Sequence, residues 1–527
     1  MPPPALRCLS SQDADRFGLR VRARIGLPRT SRSFRCAISG RRPHTPLSAY
    51  DTARRARAEG QKQRFLSDAG HMLCTNREPL DARERHMNIV PEWRPAMHRA
   101  LSLILSVALL ALPIAGCTGR GLGTEAVVAS GIPTEGDPTV AVDARLGDAM
   151  TRFGFALLKQ ATSEQNGNFV ISPLSVHATL AMTYNGASGE TAREMATVMA
   201  LSDLTQNELN QGYANLLSSL ASLPDESAVT LNVENSLWAD EGLALSREFV
   251  EADRRYYGAQ LETLDLQASS TRDRINDWIA ERTNDKITDL IEQIPGDAVL
   301  YLINAVYLKG DWSVPFDAEE TLAEPFTIGF ENGKRVAVDV PMMRRNGDFT
   351  YIESEGTQAL RLPYGDGRLA MWVVLPPLSQ GEPRDAAFAE LERLAAGGWD
   401  EMTSGAATTP GLLVMPTFTS RTKTGLREAL SAMGMPTAFH MEDADFSAMG
   451  PAGGDMFISS VLHETYIAVD ETGTEAAAAT GVEMGVTSAP LETPQPFEMR
   501  VNRPFLFVIE DGVTGAMLFL GVIQDPR

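Results

Sequence analysis

Few side chains with catalytic potential occur after position 117, and they are scattered along the chain. Three histidines remain there, His177, His440 and His463, among many serines and carboxylates. A Ser–His–Asp triad needs no fixed local spacing, so a hydrolase stays an alternative. The chain has no GxSxG turn, no HExxH helix and no glycine-rich phosphate loop. The sequence therefore contains no positive signal for an enzyme.

Cysteine usage narrows the chemistry further. The four cysteines are Cys8, Cys36, Cys74 and Cys117, so the remainder of the chain offers no disulfide, thiolate metal site or cysteine nucleophile. A metal site there needs oxygen ligands alone, and no segment matches a calcium-binding EF-hand loop. The sequence predicts neither a cofactor nor a metal.

Charge divides the chain unevenly. The formal net charge is −21, yet residues 1–96 hold about 19 Lys and Arg against about 9 Asp and Glu. The remainder is therefore strongly acidic and repels nucleic acid, so we expect no nucleic-acid partner. Residues 1–96 are interpreted as a basic leader, disordered or a misassigned start that the mature protein lacks. A nucleic-acid-binding arm is the alternative for this leader.

Residues 97–117 have the layout of an export signal. Met97 and Arg99 precede an apolar run too short to span a bilayer, which takes about 20 residues. The ending Ile-Ala-Gly-Cys117 resembles a bacterial lipobox, whose cysteine is lipidated, and an ordinary secretory signal is the alternative. We expect an exported protein, anchored by lipid at Cys117 to the cell envelope (outer membrane or cell surface) or extracellular. Residues 118–139 are predicted to be a flexible tether.

Residues 140–527 read as one large domain. Hydrophobic periodicity predicts helices first and many strands later, which favours an α+β fold with large, mainly antiparallel sheets. The predicted helices are 143–160, 190–199, 206–220, 247–257, 271–282, 386–394 and 426–433, with a further helix starting at Pro173. The predicted strands are 168–171, 229–238, 300–308, 360–362, 369–375, 411–418, 504–510 and 516–523.

A strand followed by very small residues stands near the C-terminus. Alternation from His463 to Glu471 predicts the strand, and the run Ala476–Ala479 follows closely, with Gly473 and Gly481 on either side. Taken alone, four alanines indicate a short helix or a linker. These alanines follow directly from a strand and lead into a polar loop. The strand could therefore be extended by the small residues and so add to a sheet.

Several motifs in order resemble the serpin family over residues 140–527. They are NFVISPLS at 168–175, YNGASGET at 184–191, NAVYLKGDWSVPF at 304–316, LPY at 362–364, VLP at 374–376 and VNRPF at 501–505. The resemblance implies a serpin fold of three mainly antiparallel sheets, roughly eight to nine helices and an exposed reactive loop.

The same resemblance implies a suicide-type protease inhibitor and not an enzyme. A protease cuts the loop, which then inserts into the main sheet and carries the covalently trapped protease along. The expected partner is a serine protease, or a papain-like cysteine protease, in a covalent complex with a monomeric inhibitor. The alternative is a non-inhibitory serpin that acts as a binding or scaffold protein.

The resemblance assigns roles to individual residues. Glu471, Gly473 and Thr474 begin the hinge, in which Gly473 lets the chain turn inward and Thr474 enters the sheet first. The remaining hinge residues are Glu475, Ala476, Ala477, Ala478, Ala479 and Thr480. Ser172, Ser175, Asn304 and His463 match a buried polar cluster beneath the sheet, and Trp312 matches the top of the sheet.

Family spacing sets the scissile bond at Thr487–Ser488. The stretch from there to Asn502 is longer than is usual for the family, so the bond could also lie towards Ala489–Leu491 or near Met484. No Lys or Arg occurs between Glu475 and Met499. The candidate specificity residues are Met484, Val486, Ala489 and Leu491, which suit elastase-, chymotrypsin- or subtilisin-like proteases.

Overall fold

The chain divides into Met1–Gly116 and Cys117–Arg527. A computed structural model describes residues 133, 135–162, 167–201, 204–224, 229–296, 298–377, 381–451, 453, 456–474 and 495–527. The leader, the export signal, Cys117 and most of the tether lie outside these described residues, so their interpretation stays a prediction.

The helices start where local side chains satisfy the first turn. Ser172 accepts a hydrogen bond from the backbone N–H of Ser175, and Pro173 occupies the first helical position. Thr205 and Glu208 form a reciprocal capping box at the start of another helix. The described α-helices are α1 (Ala144–Thr162), α2 (Pro173–Tyr184), α3 (Gly189–Val198), α4 (Gln206–Ala221), α5 (Arg247–Tyr257), α6 (Ser269–Arg282), α7 (Pro383–Arg393), α8 (Trp399–Ser404) and α9 (Arg427–Met433).

The strands in chain order begin with β1 (Phe169–Ile171), β2 (Val229–Asp240), β3 (Gln260–Leu264), β4 (Leu300–Asp311), β5 (Leu322–Glu331), β6 (Lys334–Ser354), β7 (Thr357–Pro363) and β8 (Leu369–Leu375). They continue with β9 (Ala407–Pro416), β10 (Phe418–Gly425), β11 (Leu462–Val469), β12 (Gly473–Thr474), β13 (Phe497–Arg500), β14 (Phe505–Asp511) and β15 (Met517–Ile523).

Backbone pairing joins these strands into two sheets. The central sheet has six strands in the order β10-β11-β12-β4-β2-β3. The second has nine, in the order β1-β15-β14-β8-β7-β6-β9-β13 with β5 beside β6. The expected α+β architecture is present, although three sheets were expected. The reason is the length of β6, whose 21 residues pair with β5, β7 and β9 and so connect two strand groups into one sheet.

The central sheet is covered on both faces. On one face, α6 packs Trp278 edge-on against Trp238 of β2, with ring centroids 6.0 Å apart, and Ile303 of β4 lies in the same apolar cluster. On the other face, Val306 and Leu308 of β4 belong to the main core. Any strand added between β4 and β11 would therefore be covered on both faces of the sheet. Its side chains, which alternate between the two faces, would all contact other parts of the protein.

Candidate functional site

The predicted hinge folds back on β11 as a tight turn. The Asp470 N–H donates to the Gly473 carbonyl over 2.9 Å. Its carboxylate accepts from the N–H groups of Thr472 and Gly473 at 2.9 and 3.1 Å, and from the Thr472 hydroxyl at 2.7 Å. An Asp side chain that bonds the backbone two and three residues later stabilises such a turn. Thus Asp470 reverses the chain immediately before Gly473 and Thr474.

The reversed chain enters the central sheet as β12. Thr474 pairs with Val469 of β11 on one side and with Gly310 of β4 on the other, and Gly473 pairs with Asp311. For the described residues, β11 and β4 are each paired with β12, and no direct ladder joins the two. The first predicted hinge residues therefore already occupy a position between two strands that remain separate below them.

A buried hydroxyl pair holds the end of β12. Thr474 is only 1 % exposed, and its Oγ1 lies 2.7 Å from the hydroxyl oxygen of Tyr364, whose ring is fully buried. Tyr364 in turn stacks on Trp312, with ring centroids 4.5 Å apart and planes at 13°. Burial raises the pKa of Tyr364 above its ordinary value, so the phenol keeps its proton and can donate to Thr474.

Gly473 is required by close contact between backbones. A Cβ at Gly473 would lie 2.0 Å from the Gly310 carbonyl oxygen and 2.7 Å from the Asp311 Cα. Gly473 does not have a positive φ. Access to the left-handed backbone region is therefore not the reason for glycine here. The expectation that Gly473 serves the inward turn is therefore corrected: Asp470 makes the turn, and Gly473 lets β12 approach β4.

Trp312 and Glu471 connect the turn to neighbouring segments of the chain. The Trp312 N–H donates to the Thr472 carbonyl at 2.8 Å, and the indole Nε1 donates to the Asp470 carbonyl at 3.0 Å. The Glu471 carbonyl accepts from the Phe316 N–H at 2.8 Å, while its carboxylate accepts from the Thr321 hydroxyl at 2.6 Å. Three contacts to backbone carbonyls and one side-chain contact thus fix the turn before the loop begins.

Three of the four predicted polar-cluster residues lie together. The Nε2 of His463 accepts from the Ser172 N–H at 3.0 Å, and the Ser172 hydroxyl accepts from the Ser175 N–H at 3.2 Å. Asn304 instead donates to the Asn235 side-chain carbonyl at 2.6 Å, and its own Oδ1 is buried without a partner among the described residues. The described hydrogen bonds therefore do not join Asn304 to the other three.

The buried histidines are not arranged as general bases. His463 accepts from a backbone amide and not from a serine hydroxyl. His177 contacts the Tyr213 hydroxyl at 2.6 Å and the Met199 carbonyl at 3.0 Å. Burial lowers the pKa of both imidazoles to about 4, and both rings are almost completely enclosed. A hydrolase built on either histidine gains no support from this geometry.

The far end of the loop returns as β13. Phe497–Arg500 pairs in parallel with Gly411–Val414 of β9. Phe497 stacks on Tyr351 with ring centroids 3.8 Å apart and meets Phe349 edge-on at 5.8 Å. A Cβ at Gly411 would lie 2.3 Å from the Phe497 ring, so glycine makes room for the aromatic side chain.

Comparison with known families decides the identity of this architecture. The model of the family described as Serpin (serine protease inhibitor) matches residues 148–526. This chain belongs to the serpin family. Its central sheet is therefore that of a serpin, and serpins as a family are protease inhibitors.

Serpin relatives cover nearly the whole matched region. A serpin-like protein of Thermococcus kodakarensis is 35 % identical over 384 residues, which are 72 % of this chain and 85 % of that protein. The leukocyte elastase inhibitor of Xenopus tropicalis is 31 % identical over 389 residues, which are 72 % of this chain and 99 % of the relative. The similarity thus extends over the complete domain.

Solved structures agree. The thermophilic serpin tengpin in its native state has a TM-score of 0.64 at 28 % identity, covering 74 % of this chain and 97 % of that one. Human thyroxine-binding globulin has the same TM-score at 24 % identity, covering 72 % of this chain and 98 % of its own. That second likeness shows the shared serpin fold alone.

Most of the predicted reactive loop lies outside the described residues. This applies to Glu475, Ala476, Ala477, Ala478, Ala479 and Thr480 of the hinge, to Met484, Val486, Ala489 and Leu491, and to the predicted scissile pair Thr487–Ser488. Tyr364, Gly310 and Asp470 contact the predicted hinge residues Gly473 and Thr474, and the sequence did not indicate these contacts. Two of these residues do stand in patterns typical of turns. Tyr364 precedes a Gly-Asp-Gly sequence, and Asp470 stands three residues before a glycine.

The described part of the chain lacks two kinds of feature. Among the helices that the structure describes, none combines the length and the apolar character needed to cross a membrane. In the same ranges, no group of three or more His, Cys, Asp and Glu side chains could hold a metal ion.

Proposed function

We propose that this serpin is a suicide-type protease inhibitor whose cut reactive loop inserts between β4 and β11 and traps the protease covalently. The observation that carries the proposal is the position of Thr474. This predicted hinge residue is already paired with both neighbouring strands, and those strands have no direct ladder to each other among the described residues. A loop that lengthens β12 gains backbone pairs on two sides at once.

The register of β12 fixes where each loop residue would land after cleavage. Because Thr474 pairs with Gly310 and Val469, an antiparallel continuation sets Ala476 beside Leu308 and Ile467. These strand residues face the main core, where alanine adds little bulk. Glu475, on the alternate face, would lie beside Lys309, which has the opposite charge.

The same continuation sets Thr480 opposite both Asn304 and His463. Asn304 keeps a buried Oδ1 without a partner among the described residues, and a threonine hydroxyl is a donor that could satisfy it. In this proposal the predicted polar cluster is completed by the inserted loop, which explains why Asn304 stands apart before insertion.

The target class follows from the loop composition. No Lys or Arg occurs between Glu475 and Met499, so a protease that requires a basic side chain finds no site there. Small and apolar residues from Met484 to Leu491 suit elastase-, chymotrypsin- or subtilisin-like serine proteases, with papain-like proteases as a further class. The Xenopus relative named leukocyte elastase inhibitor is consistent with this choice.

We further propose that the inhibitor acts outside the cytoplasm, anchored at the cell envelope through a lipid on Cys117 or released as a secreted form. The support is the short apolar run that ends in Ile-Ala-Gly-Cys117. Metabolic labelling with a fatty acid tests the anchor, and Cys117→Ser should abolish the label.

The decisive experiment is incubation with an elastase-like and a subtilisin-like protease, followed by denaturing electrophoresis. We expect a complex that survives denaturation, and mass spectrometry of the released C-terminal fragment should locate the cut between Met484 and Leu491. A protease specific for Lys and Arg is the matched control and should not cut this loop. Turnover without complex, with no rise in thermal stability after cleavage, would instead establish the non-inhibitory binding or scaffold protein.

A further inference from the structure

The hydroxyl pair of Tyr364 and Thr474 stands out because, beyond the turn that Asp470 stabilises, β12 is held only by a very short ladder. The strand is two residues long and forms one pair with β11 and two with β4. So short a strand gains little from its ladder, while ordering each residue costs about 1–2 kcal/mol of backbone entropy. A side-chain contact at its end therefore has a large influence on whether it stays in the sheet.

Tyr364 is positioned rigidly for this contact. Its ring is stacked on Trp312, and a Cβ built on Gly310 would meet the ring at 3.1 Å, so the ring lies directly against β4. The Trp312 and Tyr364 backbones also form an isolated bridge. With its ring fixed on both sides, the phenol oxygen stays 2.7 Å from Thr474 Oγ1 without further loss of side-chain freedom.

Both oxygens are buried and each depends on the other. A buried hydroxyl that loses its partner carries the full cost of being removed from water, whereas removal of both partners can be nearly neutral. Withdrawal of Thr474 from the sheet would leave the Tyr364 hydroxyl unpaired inside the protein. The contact therefore acts against undocking of the hinge.

We propose that the Tyr364 hydroxyl holds Thr474 in the central sheet of the intact protein, so that loop insertion starts from a docked strand. This role rests on the proposed inhibitory function and adds a positioning residue to it. After cleavage, insertion competes with hydrolysis of the acyl-enzyme. A strand whose first pairs exist extends without having to nucleate, so the docked hinge favours trapping over turnover.

Hydrogen exchange on the intact full chain tests the docking without any protease. In Tyr364→Phe, which keeps the ring and its stack, we expect the amides of Gly473 and Thr474 to exchange roughly five-fold faster, as loss of one buried hydrogen bond implies. Unchanged exchange at these amides would overturn the proposal.

Substitutions at the partner make the test specific. Thr474→Val keeps the shape without the hydroxyl and should match Tyr364→Phe, and the double variant should show little further acceleration. Thr474→Ser retains the hydroxyl and should restore slow exchange. Additive effects in the double variant, or fast exchange in Thr474→Ser, would contradict a hydroxyl contact.

The matched control is Tyr257→Phe. Tyr257 is also fully buried, and its hydroxyl donates to Asn210 at 2.8 Å in the helical layer. This variant should lose thermal stability but leave exchange at Gly473 and Thr474 unchanged. If it accelerates the hinge as much as Tyr364→Phe does, the effect is one of general stability and the proposed role of Tyr364 fails.

A second measurement links docking to inhibition. With a protease that forms the covalent complex, Tyr364→Phe should consume at least about twice as much inhibitor for each protease trapped, and Thr474→Ser should not. Equal consumption by all variants would show that docking does not assist insertion. If no protease forms a complex with the unaltered protein, the inhibitory function itself fails, while the exchange data still decide whether Tyr364 docks the hinge.

Discussion

The two ends of the segment between Thr474 and Phe497 are held in different ways. At the hinge end, β12 contributes two residues, a polar turn and one buried hydroxyl pair. At the return end, β13 contributes four parallel pairs, an aromatic stack and an ion pair from Arg500 to Glu324 at 2.5 Å. Glycine appears at both, as Gly473 against a backbone and Gly411 beneath a ring.

From this contrast we expect the hinge end to move and the return end to stay fixed. The hinge end combines a two-residue strand with two neighbouring strands that have no direct ladder to each other among the described residues, and in the proposed mechanism this end lengthens residue by residue. The return end buries aromatic surface over a longer ladder, so it should stay in place while the hinge end changes. Local stability that differs along a chain is the ordinary basis for such moving and fixed parts.

The largest expected effect comes from a charge at the hinge. Thr474 is buried, and burying an unpaired cation costs several kcal/mol, so Thr474→Arg should keep β12 out of the sheet. Each ~1.4 kcal/mol added to the insertion barrier shifts the balance about ten-fold towards hydrolysis. We expect cleavage without a stable complex, seen by denaturing electrophoresis, with Thr474→Ser as the control. A Thr474→Arg variant that traps protease normally would refute the insertion route.

Acid should have the next largest effect, on the stability of the whole domain. Burial lowers the pKa of His463 and His177 to about 4, against about 6.5 in an unfolded chain. Between these values the unfolded state binds protons that the folded state excludes, so the free energy of unfolding falls as pH drops from 6.5 to 4. Each histidine contributes roughly 3 kcal/mol at most.

Urea unfolding at pH 7 and pH 4.5 measures this loss. His463→Gln, whose side-chain carbonyl can still accept from Ser172, should reduce the dependence on pH, and His177→Gln should reduce it independently. Phe497→Ala, at the return end, should leave the pH dependence unchanged. An unaltered pH profile in both histidine variants would contradict the assignment.

The smallest of the three effects concerns the return end. Phe497→Ala removes the stack on Tyr351 and the contact with Phe349. Because Phe497 is only partly buried, we expect a loss of about 2 kcal/mol, below the usual cost for a core Phe. Denaturant unfolding measures it, and Phe497→Tyr, which keeps the ring, is the control. Hydrogen exchange at Gly473 and Thr474 should not change; if it does, the two ends are coupled and the contrast drawn above fails.

Local sequence signals predicted many elements closely. The predicted helix 247–257 matches α5, because Ser246 caps its start and Gly258 ends it in the left-handed region. The strands at 369–375 and 229–238 were also found, since continuous or alternating apolar residues mark them. By contrast, β5 and β6 were missed. Their charged residues alternate with apolar ones irregularly, and their burial depends on which strand lies beside each half.

The sequence by itself determined the family, the run of small residues in the predicted hinge and the absence of Lys and Arg between Glu475 and Met499, because ordered motifs and composition can be read without coordinates. Only the tertiary structure decided how the hinge is held. Tyr364 lies 110 positions before Thr474, Gly310 lies far upstream of Gly473, and Asn304 turns to Asn235 and not to His463. Contacts between distant segments depend on strand order and register, and no local pattern of residue types encodes these distances.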